Sequence, residues 1–117
     1  MINITNNIED GMLVIVLDGE IDASSSIHLD DAISQATDAG HKKLLIDCNK
    51  LMYISSAGLG VFMSYIEDFK SQNIQMVMFG LNKNVMGVFE ILGLNQLLEI
   101  AKDLAEAKAQ IESNKAS

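Results

Sequence analysis

The stretch KKLLIDCNKLMYISSAGLGVFMSYIEDFK, Lys42 to Lys70, decides the fold. Leu44-Leu45-Ile46 is a short apolar run ending at Asp47, with the length and composition of a buried strand. Downstream, Leu59, Phe62, Met63, Ile66 and Phe69 recur at helical spacing, which predicts one helix with an apolar face and with Ser64, Glu67, Asp68 and Ser71 turned outward. Between them lies Ser55-Ser56-Ala57-Gly58-Leu59-Gly60. A serine just before a helical run is a good N-cap, because its hydroxyl accepts a hydrogen bond from an unpaired N–H of the first turn. The two glycines allow a tight turn and leave little bulk around the hydroxyls. The predicted helix start is therefore a surface of small hydroxyls.

Elements on either side extend the pattern. Ile2 to Ile8 alternates weakly, Glu9-Asp10-Gly11 reads as a hairpin turn, and Met12-Leu13-Val14-Ile15-Val16-Leu17 is apolar throughout. These predict an edge strand paired antiparallel with a strand buried on both faces. Asp18-Gly19-Glu20-Ile21-Asp22 leaves that strand, and the serines of Ala23-Ser24-Ser25-Ser26 introduce a helix carried by Leu29, Ala32, Ile33 and Ala36 and closed by Gly40. After the central unit come a strand, Ile74 to Phe79, then a helix capped by Asn82 or Asn84 with Val85, Val88, Phe89 and Leu92 on one face, ending at Gly93. A short strand over Leu97 to Ile100 and a last helix from Asp103 to Ile111, anchored by Leu104, Ala107 and Ile111, complete the chain. Strand and helix alternate from Met12 onward, which predicts parallel crossovers and a single small α/β domain over 1–117. The expected sheet is mixed and mostly parallel, with about five strands and about four helices, and residues 112–117 are expected to fray.

Composition narrows the function classes. With 117 residues, 49% hydrophobic and 21% charged, the chain suits one globular domain. No apolar run approaches the ~20 residues needed to cross a bilayer, and Met1 to Asn7 lacks the pattern of an export signal. A cytoplasmic location follows as the expectation. The single cysteine, Cys48, reads as a small core residue. A formal charge of −8 repels phosphate backbones and anionic lipid, so neither nucleic-acid binding nor membrane insertion is expected. The acidity suits a basic protein partner or serves solubility alone. His28 and His41 stand apart from each other without ligand-spaced neighbours, so no metal site is expected. No cofactor is expected either.

Catalytic readings of the loop fail on spacing. Gly58-Leu59-Gly60 follows a strand, but the third glycine position of a dinucleotide fingerprint is Met63, and no lysine follows the glycines as a P-loop requires. Ser55 and Ser56 lack the Gly-x-Ser-x-Gly elbow. His41 precedes the central strand and so falls on the opposite rim from Ser56. A serine without a neighbouring base is a poor nucleophile, and the chain is read as non-enzymatic. Asp22 and Ser56 each follow a strand, which puts both on the carboxyl rim of the sheet, where ligands and partners of such folds gather.

Two pieces, Asp18-Gly19-Glu20-Ile21-Asp22 and Ile54-Ser55-Ser56-Ala57-Gly58-Leu59-Gly60, occur in order about thirty residues apart. Together with the element lengths around them they resemble the STAS domain, and more specifically the bacterial anti-sigma-factor antagonists. The resemblance runs over nearly the whole chain. It implies a partner switch in which the unmodified protein binds an anti-sigma factor or serine kinase, phosphorylation by that kinase releases it, and a metal-dependent serine phosphatase restores it.

The family's phosphoacceptor, two residues before the first glycine, falls on Ser56. Relatives usually carry aspartate where this chain has Ser55, which makes Ser55 the alternative site, and often serine or threonine where it has Ala57. Asp22 matches an acidic loop residue near the acceptor, or is an Asx turn at the strand exit. The implied partner surface is Asp22, Ser55, Ser56, Ala57, Gly58 and Leu59, with Leu59 readable equally as core. Met52 and Met86, near the loop, are candidates for an adaptable contact surface. The alternative is a STAS module that binds a small ligand, such as a nucleotide or lipid, or that scaffolds a complex without phosphorylation.

Overall fold

The structure, a computed structural model, describes residues 2–113. The elements in order are β1 (Ile2–Glu9), β2 (Met12–Ile21), α1 (Ser26–Asp38), β3 (Lys43–Ile54), α2 (Ser56–Ser64), α3 (Ile66–Gln72), β4 (Gln75–Phe79), α4 (Lys83–Ile91), a 3-10 turn at Leu94–Gln96, β5 (Glu99–Ala101) and α5 (Leu104–Ser113). One sheet holds all five strands in the order β1-β2-β3-β4-β5. The β1–β2 pair is antiparallel and the rest are parallel, the mixed sheet expected from the alternation. Asp10 (φ 52) and Gly11 (φ 78) make the two-residue hairpin turn, whose two positive φ values match strand twist.

Alternation along the strands sorts two cores. Leu13, Ile15 and Leu17 of β2 and Leu44, Ile46 and Cys48 of β3 face α1 to α4, meeting Leu29, Ile33, Leu59, Phe62, Phe69, Val85 and Phe89. Met12 and Val14 of β2, Leu45 of β3, and Val77 and Phe79 of β4 face the other way and are covered by Ala107 and Ile111 of α5. β2 is thus buried on both faces, as its unbroken apolar run predicts. Each fully buried large side chain contributes about 1.5–3 kcal/mol, so Phe62 and Leu59 anchor α2 to the sheet.

Several boundaries differ from expectation. β2 continues through Asp18 to Ile21, and β3 continues from Asp47 to Ile54, because the two strands stay paired past register irregularities at Val16/Asp18 and Gly19/Glu20. The β3–β4 ladder stops at Asp47↔Phe79, so this extension is a ribbon whose exposed positions can be polar. The helix predicted from Ser56 to Ser71 breaks at Tyr65, whose ring rests on Phe69 with centroids 5.1 Å apart and whose hydroxyl donates to the Asp30 carboxylate of α1. On α4 only Val85 and Phe89 of the expected apolar face are buried, while Val88 and Leu92 are exposed. Glu112 and Ser113, expected to fray, close α5. Residues 114–117 of that expected tail lie outside the described residues. Among the described residues no helix is long and apolar enough to cross a membrane.

Candidate functional site

The β2–β3 ribbon carries the site beyond the body of the sheet. Its last pair is Ile21↔Ile54, and the N–H of Ser55 donates to the carbonyl of Ile21 at 2.8 Å, so the chain leaving β3 is tied to the end of β2. Asp22 and Ser56 follow these paired ends and share the carboxyl rim. His41 lies at the other end, just before the chain enters β3.

The two adjacent serines do different work. Ser55 is the N-cap of α2: its backbone is extended (φ −83, ψ 170), its Oγ accepts from the N–H of Gly58 at 3.3 Å, and its carbonyl accepts from Leu59 N–H at 3.0 Å. Ser56 is the first helical residue and is exposed. Among the described residues its hydroxyl makes no hydrogen bond. The offset of one residue decides which hydroxyl is occupied by the helix and which is offered to solvent.

Gly58 and Leu59 lie beneath this surface. A Cβ on Gly58 would stand 2.7 Å from Ile21 Cγ2 and 2.8 Å from Ile54 Cγ1, so glycine is required there by the close approach of helix to ribbon, with no positive φ involved. Leu59 is 3% exposed and belongs to the main core, which settles its packing role and leaves its side chain out of a partner's reach. Gly60 is exposed, and a Cβ added to it would meet nothing within 4 Å. Ser56, Gly60 and Met63 follow one another at i, i+4 and i+7, so they form one outward line on α2, flat at its middle.

Met63, read from the sequence as core, is 43% exposed on that line. Its helical spacing from Ser56 is the signal in the sequence that points to the outer line. Met52 and Tyr53 at the end of β3 and Ile27 at the start of α1 are also exposed apolar side chains near the rim, and of these the sequence reading singles out only Met52.

Asp22 organises the neighbouring loop. Its Oδ1 accepts from Ser25 N–H at 2.8 Å, Ser24 Oγ at 2.8 Å and Ser25 Oγ at 3.0 Å, while Ser25 Oγ accepts from Asp22 N–H at 2.9 Å. The backbone N–H of Ser25, then the two hydroxyls, hold the carboxyl down to about 2. The Asx-turn reading of Asp22 is therefore realised, on a side chain that remains exposed. Cys48 is fully buried, and burial followed by the nearby Asp47 charge pushes its thiol far above the ordinary range, which suits a core residue.

A mixed five-stranded sheet with α1 to α4 on one face, α5 on the other, and an exposed serine opening the helix after β3 defines a class of small α/β domains. The model of the STAS domain family matches residues 3–107, and the chain belongs to that family. It is 33% identical to the anti-sigma-B factor antagonist of Listeria monocytogenes over 70% of this chain and 72% of that one. It is 29% identical to BtrV of Bordetella bronchiseptica, a putative anti-sigma factor antagonist by name, over 89% and 90% of the two chains. The crystal structure of an anti-sigma factor antagonist from Mycobacterium paratuberculosis superposes with a TM-score of 0.87 at 20% identity, covering 96% of this chain and 95% of that one.

Proposed function

We propose that the protein is an anti-sigma-factor antagonist that acts by partner switching in the cytoplasm, with Ser56 as the hydroxyl whose phosphorylation ends binding. One observation carries this reading: of the two adjacent serines, Ser55 is engaged as the cap, while Ser56 is exposed at the first turn and its hydroxyl bonds to none of the described residues. A kinase can reach that hydroxyl without unfolding anything. The name carried by the Listeria relative supports the role. The partner surface is the rim formed by Asp22, Ser55, Ser56 and Ala57, continued along α2 by Gly60 and Met63. Gly58 and Leu59 hold it in place from below.

The physical account of the switch is electrostatic. A phosphate adds about −1.5 to −2 charge, and at the start of a helix it meets backbone N–H groups and the positive end of the dipole. The fold tolerates it. A partner packed on the same rim meets a desolvated dianion where a small hydroxyl stood, which costs several kcal/mol without a counter-ion, and every ~1.4 kcal/mol is tenfold in affinity. The partners this reading requires are an anti-sigma factor with serine kinase activity and a metal-dependent serine phosphatase.

Titration calorimetry against an anti-sigma factor with serine kinase activity from the same cell tests it. Ser56→Ala binds as wild type and takes no phosphate from kinase and ATP, whereas Ser56→Asp binds at least about tenfold more weakly with an unchanged melting temperature. Equal affinity of the two variants would overturn the switch. A phosphate mapped by mass spectrometry to Ser55 alone would overturn the choice of residue.

A further inference from the structure

The outer edge of β1 is open, and it is uncharged short of its last residue, Glu9. Among the described residues no strand pairs with it, and from Ile2 to Ile8 it carries no ionisable side chain, in a chain with Asp+Glu 16 against Lys+Arg 8. Edge strands of this length are usually blunted by lysine, proline or a bulge. Here the pairing with β2 runs residue for residue from Ile2↔Gly19 to Glu9↔Met12, without irregularity and without proline.

The hairpin fixes which groups face outward. Across a two-residue turn the closing pair, Glu9 and Met12, is hydrogen-bonded, and alternation makes Asn7–Val14, Thr5–Val16 and Asn3–Asp18 bonded pairs as well. The N–H and C=O groups of Ile4, Asn6 and Ile8 therefore point away from β2. On the same strand Ile8 is 57% exposed although it stands beside buried Leu13.

We propose that this edge pairs antiparallel with the same edge of a second copy of the chain, joining two five-stranded sheets into one of ten strands about a twofold axis at Asn6. In that register Asn6 faces Asn6 of the second copy, and Ile4 faces Ile8 twice, so each exposed Ile8 gains an apolar cross-strand neighbour. The shift that sets Ile4 opposite Asn6 pairs an apolar side chain with an amide and is disfavoured. Two considerations favour a second copy as the occupant. An edge with isoleucines two residues either side of its centre is complementary to itself under twofold symmetry, and two chains of charge −8 approach best along Ile2 to Ile8, the stretch of β1 without an ionisable side chain.

A twofold axis normal to the sheet keeps α1 to α4 of both copies on one side. Ser56 follows β3, two strands in from the edge, and stays open in each copy. The dimer thus offers two docking rims that point in opposite directions. A single strand pair buries less than the roughly 800 Å² per partner of a standard stable interface, so association is weak and concentration-dependent.

Sedimentation equilibrium of the full chain from about 10 μM to about 1 mM tests this. The mass rises from monomer toward dimer across the range. Asn6→Pro removes an outward N–H while leaving the bonds to β2 in place, and weakens the dimer at least about tenfold. Asn6→Cys, incubated with oxidised glutathione where the wild type is dimeric, forms a disulfide between the two copies of residue 6, because bonded pairs across antiparallel strands place Cα atoms about 5.5 Å apart, within disulfide range. A wild type that stays monomeric throughout overturns the proposal. Undiminished association of a folded Asn6→Pro does so too. Whatever the fold of that variant, a dimer that never cross-links at residue 6 overturns the register and the edge together.

Discussion

Replacing Gly58 with alanine sets two effects of known sign against each other. In a helix interior, glycine to alanine gains about 1 kcal/mol from backbone entropy. At this position the added Cβ lies 2.7 Å from Ile21 Cγ2 and 2.8 Å from Ile54 Cγ1, closer than carbon atoms approach. Ile21 is fully buried and Ile54 nearly so, and their strands are tied together at their ends by the bond from Ser55 N–H to Ile21 carbonyl, so neither side chain has room to retreat. Overpacking a tight core costs typically about 1–3 kcal/mol. Two contacts below 3 Å put the steric loss at the upper end of that range, about 2–3 kcal/mol against the ~1 gained, so Gly58→Ala is expected to be destabilised by about 1–2 kcal/mol net, a fall of roughly 4–8 °C for a domain of this size. Gly60, two residues on in the same helix, has nothing within 4 Å of the added atom, so Gly60→Ala should gain up to about 1 kcal/mol and melt a few degrees higher. Calorimetric melting of the two variants beside wild type reads both signs. A Gly58→Ala protein as stable as wild type would refute the close helix-to-ribbon packing, and a Gly60→Ala protein that falls with it would refute the assignment of Gly60 to the outer line.

Two other substitutions separate stability from signalling. Ser55→Ala removes the cap of α2 and should cost about 1 kcal/mol in denaturant unfolding, while kinase-dependent phosphate still maps to Ser56; loss of phosphorylation with the fold intact would argue for Ser55 as the acceptor. Asp22→Ala should destabilise in a pH-dependent way. The Asp22 carboxyl sits at about 2 in the fold against 3.8 as its ordinary value, so its contribution is fully present above about 3.8 and disappears as pH falls toward 2. The stability gap between wild type and variant, read by denaturant unfolding at several pH values, should close over that window, and a gap that widens on acidification would contradict the hydrogen bonds assigned to Asp22.

What is legible in the sequence and what is not divides along a physical line. Strands and helices buried against a partner on at least one face declare themselves by periodicity: β1, β2, β4, α1 and α5, and with them the mixed sheet. The ends of β2 and β3 do not, because beyond Asp47 no β4 strand lies alongside. There Asn49, Lys50, Met52 and Tyr53 are exposed while Leu51 and Ile54 remain buried, a spacing that fits neither a period of 2 nor of 3.6. The break at Tyr65 is also hidden, since Tyr65 carries no helix-stopping side chain and the interruption accompanies a contact with Asp30 from elsewhere in the fold. Around the loop, residue types point to the rim, and the i, i+7 spacing from Ser56 puts Met63 on the outer line, but the inward packing of Gly58 and Leu59 shows only in the structure. The exposed apolar positions of α4 and its C-cap, Val88, Ile91 and Leu92, match the hydrophobic spacing of a buried face and are left uncovered by this chain.

In the switch proposed above, the division of labour within α2 would let a single modification act on a complex and spare the fold. Gly58, Leu59 and Phe62 occupy the buried side of the helix, and Ser56, Gly60 and Met63 the outer one. Nothing attached to the outer line displaces the packing that holds the helix. The first turn also lacks a negative charge: α3 carries Glu67 and Asp68 and α5 carries Glu106 in their first turns, whereas α2, like α1 and α4, has no acidic residue there. An anion at such a position is worth about 0.3–1 kcal/mol when exposed, so the proposed phosphate on Ser56 would be tolerated there. The same charge is therefore mildly favourable to the free protein and strongly unfavourable beneath a docked partner. The helix term is present in free and bound protein alike and leaves the binding equilibrium unmoved, whereas desolvation under the partner is felt only in the complex and drives release.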